Sequence, residues 1–218
     1  MDWGDPDKPD SCDRTPLLYA ALGGYEGVVK LLLEREEVNP DRPDSGGWTP
    51  LLFAAVDGHE RVVKILLGRE EVSLDKLDND GRVLFSYASE AGYEGVVKLL
   101  LEREEANPDM ADNNGRVPLS PAAQGGYEGV VKLLLEREEV NPDMADNGGR
   151  TPLSWASSEQ NSLRGRYLRW DEEVNSNKLG RERVVKLLLE REEVNPTSQI
   201  MTAEHRSRMP LRIGLRGW

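Results

Sequence analysis

An all-α repeat solenoid is the fold class that this sequence predicts, on three observations. Asp10, Asp44, Asp78, Asp112 and Asp146 recur every 34 residues, and Arg14, Trp48, Arg82, Arg116 and Arg150 follow them at a constant offset. The segment GYEGVVKLLLEREEVNP runs from Gly24 to Pro40 and returns unchanged from Gly126 to Pro142; the copy from Gly92 to Pro108 differs only at Ala106. Looser copies begin at Gly58 and Gly180. Third, each copy of this helical segment carries apolar residues over too wide an arc for one wet face, so successive units must bury one another. A period within roughly 20 to 50 residues is the mark of such arrays.

Each unit reads as a turn, a short helix, a Gly break and a second helix. In the second copy Thr49 offers a side-chain N-cap and Pro50 sits at the first helical position, where its missing N–H costs nothing. Leu51, Ala54 and Ala55 give the short helix a narrow apolar face whose small residues allow close approach. Gly58 supplies a left-handed backbone to end it, and Glu60 meets the positive end of the next helix. Val62, Val63, Ile65, Leu66 and Leu67 then form the wide apolar surface. The units predicted on this pattern are 10–43, 44–77, 78–111, 112–145 and 146–199, after an acidic N-terminal tail at 1–9.

The fifth unit is interrupted. Val130 to Val184 spans 54 positions instead of 34, which places about twenty extra residues, near 158–178, in the turn between its two helices. Arg164, Arg166, Tyr167, Arg169 and Trp170 make this insertion a candidate contact site, with a mobile or partly helical loop as the plainer alternative. Residues 200–218 read as a degenerate half-repeat that caps the last unit; Arg206, Arg208, Arg212 and Arg216 in it are too scattered for a basic address motif.

The segments TPLLYAA (Thr15 to Ala21), TPLLFAA (Thr49 to Ala55), VPLSPAA (Val117 to Ala123) and TPLSWA (Thr151 to Ala156) resemble the TPLHxAA signature of ankyrin repeats. The GH or GY plus VVKLLL segments match that family's second helix, and about fifteen residues between LLL and the next TPL suit its long hairpin loop. The resemblance covers almost the whole chain, and the near-identity of copies one, three and four resembles arrays of filamentous fungi. Three departures stand out. Leu18, Leu52, Ser86, Ser120 and Ser154 occupy the position of the family's His, so its Thr–His hydrogen bonds cannot form. The third copy, from Val83, lacks both Thr and Pro, and the fourth carries Pro121 where other copies have Tyr19, Phe53, Tyr87 and Trp155. These two units are expected to be locally weaker.

Composition narrows the function. A net charge of -12 argues against a generic binder of nucleic-acid backbone. One cysteine, Cys12, cannot form an internal disulfide, and the start of the chain lacks the apolar core of a signal peptide, which points to the cytoplasm or nucleus. No apolar run approaches the roughly 18 residues of a membrane span. The two histidines, His59 and His205, have no companion at metal-ligand spacing, and no GxSxG, HExxH or P-loop sequence is present. The expectation is a non-catalytic module for protein–protein interaction, monomeric, with no cofactor, metal, small-molecule substrate or membrane partner. The alternatives are an enzyme or accessory subunit with its site in 158–178, or a fragment of a larger multidomain ankyrin protein.

In the family, the hairpin tips and the exposed face of the first helix form a concave groove that binds proteins. Carried to the matching positions, the resemblance implies partner-binding roles for Arg14, Trp48, Asp57, Arg82, Glu90, Asn113, Arg116, Gln124 and Arg150. The row of four arginines and one tryptophan is the sharpest feature, since both residue types dominate binding hot spots and an Arg fork pairs well with carboxylate. An acidic, extended or helical segment of another protein is the implied ligand. Alternatively, each Arg pairs with a hairpin aspartate such as Asp78, Asp112 or Asp146 and is structural. The aromatic row of Tyr19, Phe53, Tyr87 and Trp155 reads as core between first helices.

Overall fold

The computed structural model describes residues 5–158 and 173–190. Among them are ten helices and no strands, arranged in successive pairs: α1 (Pro16–Leu22) with α2 (Glu26–Leu33), α3 (Pro50–Val56) with α4 (Glu60–Leu67), and α5 (Leu84–Ala91) with α6 (Glu94–Leu101). Then follow α7 (Leu119–Gly125) with α8 (Glu128–Leu135) and α9 (Pro152–Ser157) with α10 (Glu173–Glu190). First helices pack on first helices and second helices on second helices along the array, so the chain is an all-α repeat solenoid. The contact site read at Arg164 to Trp170, the half-repeat at 200–218 and His205 lie outside the described residues. Helix α10 begins before Gly180, so the last part of the inserted stretch is helical.

Local sequence explains each boundary. Thr15, Thr49 and Thr151 cap α1, α3 and α9 by accepting the amides of Leu18, Leu52 and Ser154, each with Pro at the first turn. In units three and four the N-cap positions of α5 and α7 are Val83 and Pro118, and neither side chain caps. The left-handed glycines of the inter-helix turns have a second duty. A side chain at Gly24, Gly58 or Gly92 would strike the ring of His59, Tyr93 or Tyr127, which the next unit lays across that turn. His59 belongs to this series, and its Nε2 donates to the carbonyl of Leu22 at 3.0 Å.

The apolar core is one continuous cluster from Leu17 to Leu188. Its second-helix layer repeats Val62, Val96, Val130 and Val184, all inaccessible to solvent or nearly so. At the position of the family's His, Leu18 and Leu52 are buried; Ser86 and Ser120 are buried with hydroxyls that have no partner. Ser154 instead completes a capping box with Thr151.

Hairpins are held by two aspartates per period. In every unit the first of these, Asp10, Asp44, Asp78, Asp112 or Asp146, accepts through Oδ1 the amides two and four residues on, at 2.8 to 3.0 Å. Adjacent tips are tied by backbone bonds, such as Asn79 N to Gly46 O at 3.1 Å. A second series links units by charge: Arg42 reaches Asp7 at 3.2 Å and Lys76 reaches Asp41 at 2.8 Å. The next two steps of this series are broken, because Met110 and Met144 stand in register with Arg42 and Lys76 while Asp75 and Asp109 stand with Asp7 and Asp41.

Burial pushes the Asp109 carboxyl above its ordinary range, offset only in part by the Asn141 amide at 3.2 Å. Met144→Lys should supply the missing cation and pull that pKa down. Lowering a folded-state carboxyl pKa stabilises above it, so the gain, about 0.5 kcal/mol for a partly exposed pair, should be present at neutral pH and vanish as acid protonates Asp109. Titration of Asp109 by NMR, with urea unfolding at two pH values, checks both parts.

Candidate functional site

The face formed by the hairpins and the first helices carries residues at fixed offsets from each Asp. The five residues of the predicted row are indeed brought into one line with the aromatic residues of the first helices. Arg14 lies over Phe53 with its Cζ 5.5 Å from the ring centre, and Trp48 sits between Phe53 and Tyr87, each 5.1 Å away. Arg82 stacks on Tyr87 at 3.9 Å. Arg116 and Arg150 both stack on Trp155, at 4.6 and 3.8 Å. Planar guanidinium on an aromatic face is an electrostatically favoured arrangement.

The aromatic row, expected as core between first helices, is core only in part. Phe53 and Trp155 are buried, beneath the arginines of the row and outside the apolar cluster; Tyr87 is half-buried and Tyr19 exposed. Polar tips explain their direction. Tyr19 Oη donates to Asp10 at 2.7 Å, Tyr87 Oη donates to Asp78 at 2.5 Å, and Trp155 Nε1 donates to Asp146 at 3.2 Å. Burial and the Asp78 acceptor both raise the Tyr87 phenol. Phe53 has no donor, and in its unit the free oxygen of Asp44 takes the Arg14 guanidinium at 3.2 Å instead. A spacing of nine residues from Asp to an aromatic donor was the sequence signal for this layer.

The arginines are not equivalent. Asp44 raises the pKa of Arg14 by its hydrogen bond. Burial pulls Arg82 down, but the charge and hydrogen bond of Glu90 outweigh it. Arg150 pairs with Asp146 at 3.0 Å; the Asp146 carboxyl, although burial pushes it up, is held below its ordinary range by the amides of Arg150 and Gly148 and by the Arg150 charge. Thus pairing with a hairpin aspartate of the same unit holds for Arg150, whereas Arg82 uses Glu90.

Arg116 is the exception. Its Nη2 donates to the neutral amide oxygen of Gln124 at 3.1 Å, and its Nε is buried with no partner. Among the described residues no carboxylate lies within salt-bridge distance of it. Burial lowers its pKa, and the neighbouring Arg82 and Arg150 add to that, against a partial pull from Glu90 and Asp112. The site therefore holds a partly desolvated cation on a tryptophan face, flanked by two further cations, with no counter-ion of its own. Such a group gains most from an incoming carboxylate, since half-buried charge pairs are less screened than exposed ones.

The remaining predicted residues divide by role. Glu90 and Gln124 sit beside Arg82 and Arg116 as their partners. Asp57 is exposed at the end of α3. Asn113 is an exposed hairpin-tip residue, but its side chain lies across Gly81 and its carbonyl accepts from Asn147 at 3.1 Å, so it joins hairpins. Among the described residues no group of three or more His, Cys, Asp or Glu side chains is placed to hold a metal ion, and no helix is long and apolar enough to cross a membrane.

The family model described as ankyrin repeats (3 copies) matches residues 2–80 and 84–178. A search of curated proteins gave no match.

Proposed function

The chain belongs to the ankyrin-repeat family, and from that premise we propose that it is a non-catalytic recognition module, an adaptor, scaffold or regulator, whose groove binds a carboxylate-bearing segment of another protein. Ankyrin repeats generally serve as protein–protein interaction modules and are typically non-catalytic. The observation that carries the finer reading is Arg116: a half-buried guanidinium stacked on Trp155, with a neutral amide where its neighbours have carboxylates. The partner's acidic side chain completes at Arg116 what Glu90 and Asp146 complete at Arg82 and Arg150. Half-buried Trp48, two units away in the same row, adds rigid aromatic surface. Exposed, unpaired Cys12 suits a reducing compartment inside the cell.

The test compares three proteins in quantitative capture from a lysate of the native organism, each first shown to melt alike: wild type, Arg116→Glu, and Lys132→Glu on the far side of the array. The two variants change net charge equally. Removing one side of a desolvated charge pair costs about 2 to 5 kcal/mol, so a groove-bound partner should be at least tenfold depleted by Arg116→Glu and retained by Lys132→Glu. An identical set of captured proteins on all three would refute the reading.

A further inference from the structure

The octapeptide EGVVKLLL forms α2, α6 and α8, but its surroundings differ. In α6 and α8 the face toward the N-terminal end is covered by the preceding unit: Val96 and Val130 are fully buried, and Leu99 and Leu133 half-buried. In α2 the same positions stand open. Val28 is 47% exposed and Leu31 64%, and Tyr25, the counterpart of Tyr93 and Tyr127, is 63% exposed. Gly27 repeats the pattern. Its counterparts Gly95 and Gly129 lie beneath the carboxylates of Glu60 and Glu94 from the unit before, whereas nothing described lies within 4 Å of a side chain built at Gly27. The α2 face is thus one half of a junction that the array makes repeatedly along its own length.

The other half is present at the opposite end. In each junction the preceding second helix contributes a glutamate, a valine four residues from its start and a leucine four further on; in α8 these are Glu128, Val131 and Leu135, with both apolar residues buried. In α10 the matching residues are Glu182, Val185 and Leu189. Glu182 is exposed, Val185 half-buried and Leu189 50% exposed. Leu179, also exposed, precedes Gly180 within the continuous α10 helix.

We propose that copies of this chain associate head to tail, with the Glu182, Val185 and Leu189 face of α10 seated on the Tyr25, Gly27, Val28 and Leu31 face of α2 of a second copy. The occupant is fixed by register: Glu182 over Gly27 repeats Glu94 over Gly129, and Leu189 against Val28 and Leu31 repeats the α8 to α10 packing. On this proposal the chain self-associates, where the sequence reading expected a monomer. Because the two faces differ, the contact is heterologous and does not close on itself in a dimer.

Sedimentation equilibrium of the full chain over a wide concentration range tests this. The weight-average mass should rise above 24.4 kDa as concentration increases. Leu31→Glu and Leu189→Glu alter residues already half in water, so both should fold, and each alone should sediment as a monomer. Mixed in equal amounts, they retain one good junction and should reach twice the monomer mass and no more. A wild-type monomer throughout overturns the proposal. Assembly that survives Leu189→Glu overturns it equally, since pairing would then run between two α2 faces.

Discussion

Leu100→Ala should lower the unfolding free energy by about 3 kcal/mol, near the lower end of what a buried leucine costs when a cavity is left behind. Leu100 has no solvent exposure and lies in α6, in the middle of the array, with α4 on one side and α8 on the other. Leu32→Ala is the internal control. It occupies the same position in an identical octapeptide, but Leu32 is only half-buried because α2 has a described neighbour on one side alone. The second change should cost about 1 kcal/mol, scaled from the smaller apolar area removed from water. Urea unfolding of both variants measures the difference. Equal losses would mean that the helix, and not its neighbours, sets its stability, contrary to the nearest-neighbour character of a solenoid.

Gly92→Ala is expected to cost about 2 to 3 kcal/mol. Gly92 has φ of 74°, where an L side chain already costs roughly 1 to 2 kcal/mol. A Cβ there would also stand 2.5 Å from the Tyr127 ring, which is held between turn and helix and cannot step aside without unpacking the next unit. Gly149→Ala separates the two causes. Gly149 has nearly the same φ, 75°, yet no described atom lies within 4 Å of the added carbon. It should therefore lose only the backbone part, about 1 kcal/mol. A thermal melt of the two variants that gave equal shifts would show that the ring across the turn contributes nothing.

Helix positions and their order were legible because every local signal repeats at one period: Thr-Pro starts, a left-handed glycine, then an apolar surface too broad to be wet. Repetition averages away the ambiguity of any single short helix. The candidate site was legible in part. The constant offset from each hairpin Asp put Arg14, Trp48, Arg82, Arg116 and Arg150 in one row, as found. Their inequality was also written in the sequence, in the column Leu22, Val56, Glu90 and Gln124, where only Glu90 can neutralise an arginine. What the pattern did not yield was the direction of Phe53 and Trp155. A large aromatic on a short helix suits core burial equally well; only the position of the stacked guanidiniums shows that it is buried beneath the arginine row.

The identity of α2, α6 and α8 has a consequence for how the array is made. A folding chain must choose neighbours, and α6 offers α2 nearly the same surface that α4 does. Skipping a unit doubles the intervening loop, which costs only about 0.6 kcal/mol of closure entropy. Topological search alone therefore discriminates weakly between the native order and one with a unit looped out. Discrimination falls to the places where the copies differ, such as Arg61, which reaches Glu26 at 3.8 Å where α6 and α8 carry Gly95 and Gly129. In an array this uniform, the irregular positions serve as addresses.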